Sequence, residues 1–336
     1  MTRKVFILLL CLALAFTAAA CSAKPAEKPQ EKPAEDTPAQ KTAVAVAGIA
    51  GPTGVGLANM MAADFISETN DYTFTVATAP DEVVGKFASG EVQIASVPTN
   101  LAATLNKKLN GDVQMLALNT AGVLYILESG DSVHSVADLK GKTVWSTGQG
   151  ANPEYVLRYV LTRNGLDPDK DVTLEFLGEN SELVAKLAKG EAEVALVPEP
   201  AATTVMTKNQ NLRVALSMDE QWTALNTGSR LVMGCVVAKK SWVAENKAAV
   251  DAFLTEYKAS IEAAAKDPDK TAALCEEKGI VAAAAIAKAA IPRCNLIFVA
   301  GQEMKTTVEG YFQVLFDANP ASVGGALPAD DFYYAG

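Results

Sequence analysis

Two stretches of the 336-residue chain are nearly the same. EVVGKFASGEVQIASVPTNLAAT runs from Glu82 to Thr104, and ELVAKLAKGEAEVALVPEPAATT from Glu182 to Thr204, at an offset of 100 positions. Identical pairs include Lys86/Lys186, Gly90/Gly190, Glu91/Glu191, Ala95/Ala195, Val97/Val197 and Pro98/Pro198. Each copy reads as an amphipathic helix stopped by glycine, a short strand apolar on both faces, and a proline before the next helix. The offset is far too long for a solenoid repeat. It fits a duplicated lobe, and the copies part after the proline, where Thr99-Asn100 faces Glu199-Pro200.

The surrounding pattern extends the duplication. TAVAVAGIAG predicts a strand, PTGVGLANMMAADFISE a helix after a Gly-rich turn, YTFTVATAP a second strand, and VQMLALN a strand ending at Asn119 and Thr120. The same order recurs from KTVWSTGQGANPEYVLRYVLTRNGL to LRVALSM. Strands alternating with helices imply mostly parallel sheets covered on both faces. The predicted fold class is therefore α/β, with two such lobes. GVLYILES and RLVMGCVV are similar strands that flank the second lobe. They place two crossings, a double hinge, near Glu128–Asp131 and Asn226–Leu231. Residues 42–128 and 231–336 then form lobe one and 129–230 lobe two. The last third reads as Ala-rich helices, a helical cap on lobe one.

The N-terminus reads as export. Arg3 and Lys4 precede an apolar run from Val5 to Phe16, and Ala18-Ala19-Ala20 fits a cleavage site, so residues 1–20 are a signal peptide. Cys21 follows at once, as in a lipobox with Ala18 where an aliphatic residue is usual. Residues 21–41 are a Pro/Glu/Lys-rich tether with too little apolar surface to fold. Together these predict an extracytoplasmic domain anchored to the outer face of the cell membrane by lipidated Cys21, or a periplasmic one.

The net charge is −10, and without Arg3 and Lys4 of the signal it is −12, so nucleic acid is excluded as the main partner. Besides Cys11 and Cys21 the chain has Cys235, a buried thiol by its apolar setting, and Cys275 and Cys294, which are either free or paired. No spacing marks a metal site, and no motif marks a cofactor. His134 is the single histidine and lies away from every predicted strand end, so no catalytic residue is assigned.

Ligands in parallel sheets bind beyond the C-terminal strand ends, where helix N-termini expose free N–H groups. The predicted binding residues are Pro52, Thr53, Gly54, Thr99, Asn100 and Asn119 in lobe one. In lobe two they are Gln149, Asn152, Tyr155, Glu199 and, near the second crossing, Trp222. Thr53, Thr99 and Asn152 read equally well as helix caps, and Trp222 as packing. These loops hold no Lys or Arg, and Glu199 with Asn100 suits a small nitrogen-bearing or cationic solute.

With the signal, Cys21, the tether, VAGIAGPTGVGLANMMA, the G-E-x-Q-I-A string and VADLKGKTVWSTGQGANPEYVLRYVLTRNGLDPDKDV in view, the chain resembles extracytoplasmic solute-binding proteins of ABC importers. The nitrate/sulfonate/taurine/thiamine-pyrimidine type is the nearest set. The resemblance implies a type II periplasmic-binding fold, hinge closure on a solute and delivery to an ABC permease, by a monomer. It also leaves two alternatives: a ligand-sensing lipoprotein that signals to a receptor, and an enzyme like thiamine-pyrimidine synthases, which use a histidine on this fold.

Overall fold

The computed structural model describes residues 40–336. The chain starts with β1 (Thr42–Ile49), α1 (Pro52–Val55), β2 (Asn70–Ala77), α2 (Pro80–Ser89), β3 (Ile94–Pro98), α3 (Thr99–Lys108) and β4 (Gln114–Ala121). It continues with β5 (Leu124–Ser129), β6 (Thr143–Thr147), α4 (Asn152–Arg163), β7 (Thr173–Leu177), α5 (Asn180–Ala188), β8 (Val194–Pro198), α6 (Ala201–Lys208), β9 (Leu212–Ser217) and α7 (Met218–Ala224). It ends with β10 (Val232–Ala238), α8 (Lys240–Glu245), α9 (Lys247–Lys266), α10 (Pro268–Glu277), α11 (Ala284–Ala290), β11 (Leu296–Ala300) and α12 (Gln302–Ala318).

The strands make two sheets, in the orders β11-β4-β10-β3-β1-β2 and β7-β6-β8-β5-β9. β1 pairs parallel with β2 and β3, and β6 pairs parallel with β7 and β8. Each sheet inserts an antiparallel strand into a parallel set, β10 between β3 and β4 and β5 between β8 and β9, and the first sheet adds a second antiparallel strand, β11, at the β4 edge. Side chains alternate across each strand. In β10, Cys235 and Val237 join the core shared with α2, α3 and α12, while Val236 and Ala238 face the core under α9, α10 and α11. The first of these cores runs on into the second sheet through Leu124, Ile126, Leu157, Val160 and Trp222, so one apolar mass underlies both lobes. α5 and α6 cover the other face of the second sheet with Leu183, Leu187, Ala202 and Val205.

The repeated residues do the same local work in both lobes. Gly90 and Gly190, at φ 85° and 73°, take the left-handed turn after α2 and α5 that favours glycine. Lys86 reaches Glu91 at 2.5 Å and Lys186 reaches Glu191 at 3.9 Å. Both pairs are solvent-exposed and contribute little.

Three expectations change. The first crossing lies at Gly122–Val123 and not near Glu128–Asp131, because the apolar strand Leu124–Ser129 pairs with β8 and β9 and so belongs to the second sheet. The helix expected after β1 is a single turn, Pro52–Val55, followed by a 3-10 turn at Ala58–Met61. The Ala-rich last third holds an unexpected strand: Leu296–Ala300 pairs with β4 at the sheet edge. The helices there do pack on the first sheet, α9 against β2 and β4, but α12 also reaches α4 of the second lobe. Cys275 and Cys294 are free buried thiols. The signal, Cys21 and nearly all of the tether lie outside the described residues.

Candidate functional site

The C-terminal ends of β1 and β3 in one lobe and of β6 and β8 in the other carry the loops that meet between the sheets. α3 and α4 start there, and their first turns touch: Asn152 Nδ2 donates to Asn100 Oδ1 at 2.9 Å. Asn152 is only 8% exposed, and its Oδ1 is buried with no hydrogen-bond partner. A buried amide oxygen without a donor is costly. A Cβ on Gly51 would come 4.0 Å from Pro200 Cδ, which brings the β1–α1 loop against the start of α6.

The floor of the first lobe is a neutral hydrogen-bonded network. Asn119 Nδ2 donates to Ser96 Oγ at 2.8 Å and to Tyr257 Oη at 2.9 Å, and Thr120 Oγ1 donates to Asn119 Oδ1 at 2.9 Å. Ser96 Oγ donates to the Thr53 carbonyl at 2.6 Å, tying the network to α1. Burial pushes the Tyr257 phenol well above its ordinary range, so it stays protonated. Gly234 sits under this network. A Cβ there would lie 2.4 Å from Asn119 Oδ1 and 2.7 Å from Thr53 Cγ2.

The second lobe presents a charge. Glu199, 3% exposed, accepts from Thr203 Oγ1 at 3.0 Å and from the Thr203 N–H at 3.2 Å, next to the α6 N-terminus that favours an anion. Its Oε1 also accepts from Arg293 Nε at 2.5 Å. Arg293 follows α11, whose neighbours Ile291 and Cys294 are buried in the first lobe's core. The arginine also donates from Nη2 to Thr203 Oγ1, while its carbonyl accepts from Tyr125 Oη at 2.8 Å. Burial, then the Glu199 carboxylate, raises the Tyr125 phenol far above its usual value. Asn295 Nδ2 completes the corner by donating to the Gly122 carbonyl at the first crossing, 2.6 Å away.

Sequence reasoning placed most of these residues but not all of their tasks. Pro52, Thr53, Gly54, Asn100, Asn119, Asn152 and Glu199 all belong to this region. Thr99 is fully buried with its hydroxyl donating to the Val232 carbonyl, so it braces its own sheet and is not offered to a solute. Trp222 is fully buried against Tyr159 and Tyr311, its Nε1 donating to Ser229 Oγ at 3.2 Å; it is packing. Tyr155 Oη donates to the Gly150 carbonyl and accepts from Asn319 Nδ2, which ties α4 to the segment after α12. Gln149 is exposed at the turn before α4. Glu199 is already paired, which removes the reason to expect a cationic solute. Its partner Arg293 was missed, because the two are 94 residues apart and no local pattern joins them.

Among the described residues no cluster of His, Cys, Asp and Glu is set to hold a metal. His134 stands on an exposed turn with its ring against the Asp131 carbonyl.

The comparisons with known proteins fit this geometry. A family model described as "ABC transporter, phosphonate, periplasmic substrate-binding protein" matches residues 58–289, more than half of the chain. Among solved structures, an ABC transporter protein from Parabacteroides distasonis is 24% identical with a TM-score of 0.75, over 88% of this chain and 99% of that one. The periplasmic aliphatic sulphonate-binding protein SsuA from Escherichia coli is 14% identical with a TM-score of 0.67, over 87% and 96%. The alkanesulfonate-binding protein SsuA from Xanthomonas axonopodis pv. citri, bound to MOPS, is 14% identical with a TM-score of 0.57, over 88% and 97%. The sequence matches no curated protein. The two-sheet architecture is the type II periplasmic-binding fold of these neighbours.

Proposed function

We propose a site and a ligand class for a chain that belongs to the family of periplasmic substrate-binding proteins of phosphonate-type ABC transporters. As a member it captures a small solute and delivers it to an ABC permease. The proposed site is the space between the lobes, bounded by Pro52, Thr53, Gly54 and Asn100 on one side and by Gln149 and Asn152 on the other, above the Asn119 floor. Glu199, paired with Arg293, makes no direct contact with the solute.

The carrying observation is the meeting of the α3 and α4 first turns at Asn100 and Asn152, where the Asn152 Oδ1 is buried without a donor. Helix N-termini attract anions, and an orphaned acceptor calls for an N–H or O–H. The ligand is therefore a small oxyanion, such as a phosphonate or sulfonate, that also carries a hydrogen-bond donor. The family description and the sulfonate-binding neighbours support the oxyanion. The donor keeps the nitrogen-bearing ligand expected from sequence, with Asn152 as its acceptor in place of Glu199.

The protein works as a monomer outside the cytoplasm, lipidated at Cys21, with residues 21–41 holding it off the membrane. No helix among the described residues is long and apolar enough to cross a membrane. Cys21→Ser should release the protein from membranes into the soluble fraction, and continued membrane retention would refute the anchor.

Native mass spectrometry of the purified protein, followed by thermal-shift screening with alkyl- and aminoalkylphosphonates and sulfonates, tests the ligand. A bound oxyanion that carries a donor is expected. A bound cation or an apolar solute would refute the reading.

A further inference from the structure

The Glu199–Arg293 pair links the two lobes directly. Glu199 ends β8 of the second sheet, its side chain fully buried. Arg293 is held in the first lobe by Ile291 and Cys294 in the core under α9. Three features make the contact a built corner. The carboxylate is fixed by Thr203 Oγ1 and the Thr203 N–H. The arginine's carbonyl is fixed by Tyr125 Oη. The next residue but one, Asn295, holds the carbonyl of Gly122, where the chain crosses between sheets. The carboxylate is thus pre-positioned within its own lobe, and the Tyr125 bond, from β5 of the second sheet to the Arg293 carbonyl, joins the ion pair as a second contact between the lobes. Moving the lobes apart would leave Glu199 on the second lobe without its arginine, and a buried charge stripped of its partner is expensive.

We propose that Glu199 and Arg293 form an interlobe latch that holds this protein closed in the absence of solute. The latch acts on the open–closed equilibrium and touches no ligand. Solute affinity follows from it, because a ligand that binds the closed form gains in proportion to how much of that form already exists. It goes beyond the ligand reading and does not depend on which solute is captured.

The test is a distance measurement between nitroxide labels on Asp81→Cys and Ser181→Cys, exposed positions in the first turns of the twin helices α2 and α5. Cys235, Cys275 and Cys294 are buried, with thiol pKa values pushed up by burial (to about 12 for Cys275), so they should resist labelling. Full-length protein, stripped of ligand by mild denaturant and dialysis, is expected to give one short distance. Glu199→Gln and Arg293→Met should each shift the closed-to-open ratio towards open by at least about tenfold, and Arg293→Lys should restore most of the short distance. A long distance in stripped wild-type protein would overturn the latch without any variant. So would Glu199→Gln and Arg293→Met proteins that melt cooperatively yet keep the wild-type distance. Neither result would bear on the oxyanion reading, which is decided by what co-purifies.

Discussion

Pro98-Thr99-Asn100 and Pro198-Glu199-Pro200 follow the same strand in the two lobes, and both triplets bury only their middle residue. The middle residues then point to different partners. Thr99 turns its hydroxyl back to Val232 in its own sheet, whereas Glu199 reaches Arg293 in the other lobe. Duplication supplied two equivalent strand ends. Divergence at one position in each made one wall self-contained and neutral, and made the other a charged contact across the crossing. Such a binding protein needs a rigid floor and a movable partner, and the twin loops divide those tasks between them.

The contrast can be broken by mutation. Glu199→Ala strips Arg293 of its partner and should cost about 2–3 kcal/mol in urea unfolding; the arginine's partial exposure keeps this below the cost for a fully buried pair. Gly234→Ala presses a methyl into Asn119 and Thr53 and should cost about 2 kcal/mol by the same measurement, showing that the first floor is packed tightly. Thr99→Val removes one buried hydrogen bond and should cost about 1 kcal/mol while leaving interlobe distances unchanged. Equal effects of the Thr99 and Glu199 changes on interlobe distance would erase the difference between the twins.

The smallest effect concerns Asp219, whose Oδ1 accepts from the Gly122 N–H at the first crossing, 3.1 Å away. Burial raises its carboxyl pKa despite that hydrogen bond. The folded protein therefore holds this proton more tightly than the unfolded chain does. The stabilisation is complete below the unfolded value of about 3.9 and is lost as pH rises through the higher folded value. Asp219→Asn keeps an acceptor for Gly122 and removes the charge. It should raise stability at neutral pH by a few tenths of a kcal/mol, after allowance for solvent screening, and flatten the loss just above that value. Thermal melts across pH would check both.

Much of this fold was legible because buried strands leave dense local signals. IASVP and VALVP, the glycines that stop α2 and α5, and the Lys–Glu pairs are all local features, and all can be read from the repeat. The first crossing was misplaced because an apolar run does not say which sheet it joins; only pairing with β8 and β9 decides that. β11 was hidden because five residues among Ala-rich helices give no period to read. At the site, strand ends could be located but side-chain direction could not. Thr99 turned inward, Trp222 packed between Tyr159 and Tyr311, and Arg293 arrived from a distant turn.

The central claim is that solute is held between the lobes at Asn100 and Asn152. A crystal structure of the protein with the solute that co-purifies, or with the tightest oxyanion from the thermal-shift screen, tests it most directly. The account predicts density between the α3 and α4 first turns, with a ligand N–H or O–H within hydrogen-bond distance of Asn152 Oδ1. Density in the groove between α4 and α12 lined by Arg158, Tyr159 and Val314, with the interlobe space empty, would contradict it.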